Sequence, residues 1–216
     1  MLHEPATTLT DYLLMVECAA FAALLARRGS PGFLRAAFVL LFVSVSLASF
    51  TGGTVHGFFP EASSTGSRLL WPLTLLAIGV TAAVMLAIAA HLALGRARGR
   101  RVAWLASSLW VAYALVVVLG SREFYVAIAA YLPAMLLFMA ALARRWLQRR
   151  TPGVSAGLVG MLVALIGAAG QQAGIGLHPV YFDHNAVYHL VQAVALYLLY
   201  RCGIELIDAG DGAKGT

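Results

Sequence analysis

Long apolar runs alternate along the chain with short polar breaks, and each run is about the length a helix needs to cross hydrocarbon. Reading for stretches of roughly twenty residues gives seven spans. They fall at about 8–27, 33–58, 69–95, 101–120, 122–143, 152–175 and 183–205. "RRGSPG", "PEASSTGSR", "GRARGRR", "GSRE", "RRWLQRRTPG" and "GLHPVYFD" separate them. Strand-type alternation is absent, and backbone in lipid must satisfy its hydrogen bonds within each segment. The pattern therefore predicts an all-α, polytopic integral membrane protein, a seven-transmembrane-helix bundle. One membrane domain is expected over 1–207, followed by a disordered tail over 208–216 ("DAGDGAKGT").

Composition agrees with the pattern. Hydrophobic residues make up 61% of the chain and charged residues 11%, against about 45–50% and about 25% in soluble domains. The net charge of +6 does not imply nucleic acid, because the arginines gather in alternate loops. Arg27, Arg28 and Arg35 follow the first span; Arg96, Arg98, Arg100 and Arg101 the third; Arg144, Arg145, Arg149 and Arg150 the fifth. Arg68 and Arg122 stand alone on the other side. Basic loops stay cytoplasmic, so the N-terminus is expected outside and the C-terminus inside. An Ala- and Arg-rich chain of this kind fits a bacterial inner (plasma) membrane. Cys18 and Cys202 fall within spans, with no spacing for a disulfide or zinc framework. They read as small buried apolar residues.

That orientation puts His3, His56, His178, His184 and His189 towards the outer side and His91 alone near the cytoplasmic one. Polar chemistry is densest in "FDHNAVYHLVQ", residues 182–192, where a lipid-facing helix should begin. His189 lies about 9 Å into the last span from Asp183, and Glu17 about 9 Å below Asp11 on the first. An ionisable residue at such depth is costly and faces the bundle interior with a partner. Gln171 and Gln172 close the sixth span at a comparable level, beside the small residues of "AGIG". Imidazoles converging with carboxylates are the raw material of a catalytic zinc, which takes three protein ligands and keeps a fourth position for water. His56, His184 and His189 are the candidate zinc ligands, with Glu17 and Asp183 as proton acceptors. Residues five apart are about 140° apart on an ideal helix. His184 thus reaches the metal of His189 only from an irregular first turn, which Asp183 as N-cap would permit. The same residues also read as interhelical hydrogen-bonding groups with no chemistry. His184 reads equally as an interfacial residue, and the hydroxyls of Ser44, Ser46, Ser49, Thr51 and Thr54 as bonds to their own helix.

The arrangement resembles the superfamily of seven-span zinc hydrolases that includes the alkaline ceramidases and adiponectin receptors. In that superfamily zinc is held by one histidine near the end of span two and two near the start of span seven. His56 and the pair His184 and His189 fall in those places. "EPATTLTD", Glu4 to Asp11, is similar to the ceramidase pattern before span one, whose acidic residues help bind calcium. The resemblance implies zinc, calcium on Glu4 and Asp11, and a membrane lipid amide or ester as substrate. The chain departs from that pattern in three places, one being the superfamily's aspartate near span three, which has no equivalent here unless Glu61 or Glu17 substitutes. The span-seven histidines are five apart rather than four, and Gly52 stands where the superfamily has a serine.

Four other readings differ in what they require. A non-enzymatic, receptor-like or structural bundle needs only the polar cluster. A bis-histidine haem carrier lacks a second axial pair. A retinal protein is excluded, because the only lysine is Lys214, in the tail. An ion pump or transporter is disfavoured, since no path of polar residues reaches the cytoplasmic half.

Overall fold

A computed structural model describes residues 2–178 and 181–212. Seven helices carry the fold: α1 (Pro5–Ala26), α2 (Phe33–Phe58), α3 (Thr65–Gly95), α4 (Ala97–Leu119), α5 (Phe124–Gln148), α6 (Pro152–Gln172) and α7 (His184–Gly212). All seven are long and apolar enough to cross a membrane. Among the described residues there is no strand, only an isolated bridge between His178 and Phe182.

Local sequence explains most of the boundaries. Pro5 and Pro152 open α1 and α6, where the missing N–H costs nothing and the fixed φ suits a first turn. Ser64 caps α3, its hydroxyl accepting from the Ser67 N–H at 3.2 Å. Pro72 and Pro133 lie inside α3 and α5, as apolar spans tolerate when neighbours satisfy the freed carbonyls.

Three expectations need correction. The Arg-rich "GRARGRR" is not a loop: α3 runs into α4 through a single non-helical residue, Gly95, at φ 77° and ψ 178°. That conformation is open essentially to glycine alone, so one residue makes the whole turn between two spans. Residues 4–11 do not precede the first span but form its opening turns. α7 continues to Gly212, beyond the expected start of the tail at 208; residues 213–216 lie outside the described residues.

The helices pack in chain order, α1 on α2, α2 on α3, α3 on α5, α5 on α6 and α6 on α7, and α1 closes the ring against α7. α3 is the central helix, with 61% of its most apolar window buried, against 11% for α4, which lies at the periphery. α4 is held to α3 by Trp110 Nε1 donating to the Leu76 carbonyl at 3.2 Å and Tyr113 Oη to that of Leu75 at 2.8 Å. Phe38, Phe42, Phe138 and Leu41 fill the core, and Cys18 and Cys202 are buried free thiols within it. Hydroxyls on α2 bond their own helix as expected, Ser44 to Leu41 and Thr51 to Leu47. They also pair across to α3, Ser44 with Thr81 and Thr51 with Thr74, each at 2.8 Å. Such bonds tie α2 to α3.

At the arginine-bearing end, Arg28 forks onto Asp208 of α7 at 3.0 and 2.7 Å. Glu205 caps α6 by accepting from the Gly153 N–H at 2.8 Å and from the Thr151 hydroxyl.

Candidate functional site

The polar side chains at the histidine-bearing end come from three helices. Once Pro5 starts α1, Glu4, Thr7, Thr8 and Asp11 recur at the three- and four-residue spacing that puts them on one face. Thr7, Thr8 and Asp11 are buried along that stripe. What they bury against is the end of α2, where Gly53 and Gly57 sit one turn apart. A β-carbon at Gly53 would come within 2.7 Å of the Asp11 Cβ, and one at Gly57 within 2.8 Å of the Thr8 Oγ1. Glycines four apart are what lets two backbones approach this closely. The approach sets His56, between them in sequence, beside the start of α1. The His3 N–H donates to the Gly57 carbonyl at 3.2 Å and ties the segment before α1 to the same spot.

Two carboxylate–imidazole pairs result. His56 Nδ1 stands 2.9 Å from Glu4 Oε2, and His189 Nε2 stands 3.5 Å from Asp11 Oδ1. The first pair is partly exposed, while the second is more enclosed, its side chains 13% and 8% accessible. The two are near enough for Glu4 to act electrostatically on Asp11 and His56 on His189. Trp71 of α3 presents a ring edge-on to His56, with centroids 6.4 Å apart.

The partners of each ring assign its protons. Glu4 accepts, so His56 donates from Nδ1 and keeps its lone pair on Nε2 in the neutral ring. Thr10 Oγ1 lies 3.0 Å from His189 Nδ1 and donates its hydrogen to the carbonyls of Ala6 at 2.9 Å and Thr7 at 3.0 Å. In the tautomer protonated at Nδ1, His189 donates to Thr10 and its lone pair faces Asp11 from Nε2. At 3.5 Å that last contact is too long for a strong direct hydrogen bond and suits a water bridging both groups.

Asp183 is the N-cap of α7, accepting from the Ala186 N–H at 2.8 Å, as its position before the span predicts. It also accepts from Thr7 Oγ1 at 3.0 Å. Through these bonds Asp183 ties the start of α7 to α1.

Of the predicted site residues, Glu4 pairs with His56 and Asp11 with His189, and Asp183 bonds Thr7 on the same helix as Asp11; His184 and Glu17 do not join them. His184 is the first residue of α7 and is exposed. The helix is regular from there, so the five-residue spacing leaves its ring about 140° from that of His189. The side facing inwards with His189 belongs to Asn185, which accepts from Gln171 Nε2 at 3.0 Å. Glu17 lies six residues beyond Asp11, about 9 Å along the axis and about 240° around it. Its Oε2 is buried without a hydrogen-bond partner. Among the described residues no three His, Cys, Asp or Glu side chains gather closely enough to hold a metal ion. The donor types suit zinc, and they stand as two pairs, Glu4 with His56 and Asp11 with His189.

Thr7, Gly53 and the pair of Tyr12 Oη with Thr54 Oγ1 at 3.0 Å went unpredicted. The spacing 4, 7, 8, 11 was the signal for Thr7, once the helix is taken to begin at Pro5.

No curated protein and no solved structure was found to match the chain. Residues 6–208 match the family described as "Family of unknown function (DUF6962)", and the chain belongs to that family.

Proposed function

We propose that the chain is an integral membrane hydrolase that cleaves an amide or ester of a bilayer lipid at the histidine-bearing end of its bundle. That end lies on the outer face in this reading, with the N-terminus outside and the C-terminus in the cytoplasm of a bacterial inner membrane. The arginines at the opposite end support this orientation. The observation that carries the reaction is the meeting of two carboxylate–imidazole pairs from α1, α2 and α7. His189 Nε2 takes the proton of a bridging water as it attacks the lipid carbonyl, and Asp11 stabilises the imidazolium that forms. The proton then passes from His189 to the leaving amine or alkoxide. His56, oriented by Glu4, when protonated donates from Nε2 to the oxyanion. No step is routed through a metal.

A second reading, a non-enzymatic bundle, is favoured by one observation: Thr7, Thr10 and Asp183 are all engaged in bonds between or within helices, as interhelical polar glue would be. Turnover of a panel of fluorescent lipid amides and esters separates the two, measured with His189→Ala, Asp11→Asn and Glu4→Gln beside thermal unfolding. A loss of about 10²–10⁴-fold with unfolding little changed supports the hydrolase. No turnover on any lipid, with lowered unfolding temperatures, supports the glue. Stoichiometric zinc in purified protein that His184→Ala removes would replace both with the metal triad.

A further inference from the structure

A groove of about 540 Å³ runs between α1 and α2, away from the histidines. Ala19, Ala23 and Ala26 form one wall and Val39, Val43 and Leu47 the other. Its lining is almost wholly apolar. At the end nearer the middle of the helices, Ser46 Oγ donates to the Met15 carbonyl at 2.8 Å and Phe50 stacks with Tyr12 at 6.3 Å. The other end opens towards the arginine-bearing side. From Ala26 to Met15 the groove follows α1 for about 16 Å, roughly half the thickness of a bilayer's hydrocarbon core. It is as deep as one leaflet.

The charges at its mouth decide what fills it. Arg27 stands one turn beyond Ala23 on α1, and Arg35 one turn before Val39 on α2, so both walls end in a guanidinium. Arg35 spends one donor on the Gly29 carbonyl at 3.1 Å. Arg28 is turned away, committed to Asp208, and that hydrogen bond raises its already high pKa further. An apolar slot one leaflet deep with two cations at its rim matches one acyl chain below an anionic headgroup.

We propose that the α1–α2 groove binds an anionic phospholipid of the leaflet on the arginine side, its acyl chain against the alanines and its phosphate at Arg27 and Arg35. This rests on the membrane reading above, though not on the hydrolase. The full chain in detergent is mixed with phosphatidylglycerol and phosphatidylcholine of identical chains, and retained lipid is counted by native mass spectrometry. Wild type should keep one phosphatidylglycerol per chain, about tenfold over phosphatidylcholine. Arg27→Gln with Arg35→Gln should bring the ratio near one. Ala23→Phe, at an exposed position that leaves the core intact, should lose both lipids, with thermal unfolding confirming that it is folded. Equal retention of the two lipids by wild type, or unchanged phosphatidylglycerol on Ala23→Phe, overturns the proposal. So does a lipid-free dimer that Ala23→Phe dissociates, which would assign the groove to a second copy. Wild type that stays soluble without detergent would instead overturn the membrane reading itself.

Discussion

Thr10 Oγ1 stands 3.0 Å from His189 Nδ1, where its hydroxyl can select the tautomer of the ring. With its hydroxyl hydrogen on the backbone carbonyls, its oxygen is the acceptor that favours a proton on Nδ1. Thr10→Val should release that constraint and mix the two tautomers, and Thr10→Ser should restore the single form. The ¹⁵N shifts of His189 report this directly; an unchanged single tautomer in Thr10→Val would rule out the role. His184→Ala should leave unfolding within about 0.5 kcal/mol of wild type, as at other exposed positions, and leave any lipid turnover intact. The residue types of the site were legible because ionisable groups are rare in such an apolar chain: Glu4, Asp11, His56 and His189 stand out. Which face of α7 turns inwards was less so. The choice between His184 and Asn185 depends on where the helix becomes regular, and that is set by the Asp183 cap.

Single glycines decide two contacts between elements. Gly95 turns α3 into α4 at positive φ, with open space where a β-carbon would lie, so any cost of substitution is purely conformational. Gly95→Ala should destabilise by about 1–3 kcal/mol, read from reversible unfolding in detergent or bicelles. Gly53→Leu meets a neighbour instead: its β-carbon would strike Asp11. It should cost about 1–3 kcal/mol through overpacking and pull α1 off α2, so that lipid turnover falls together with stability. Helices themselves were legible from hydrophobic runs, and most ends lay within a few residues of those expected. The missed boundary was the Arg-rich segment 96–101. A dense cluster of charge reads as a loop, but charge alone does not break a helix, and only Gly95 does so here.

For the molecule as a whole, hydrophobic length gave the number of spans, and the arginines gave an orientation that accessibility can test. Cysteine placed by Ala62→Cys, between α2 and α3, should react with an impermeant maleimide added to intact cells. Cysteine placed by Ser30→Cys, between α1 and α2, should react only after lysis. The reverse pattern would invert the topology. Packing order was not legible, because apolar faces in lipid carry no stripe to say which neighbour they meet. The closure of α1 on α7 shows in Thr7 reaching Asp183, Thr10 and Asp11 reaching His189, and Phe21 stacking on Tyr200.

That closure has a consequence for how the protein is made. α1, which carries Asp11, leaves the ribosome before α7, which carries His189, so a nascent chain lacking α7 holds the Glu4–His56 pair without its companion. For most of synthesis the Asp11 carboxyl has no imidazole to meet and must wait within a half-built bundle. Any chemistry this end performs begins only when α7 docks, so chains terminated before α7 would be inert.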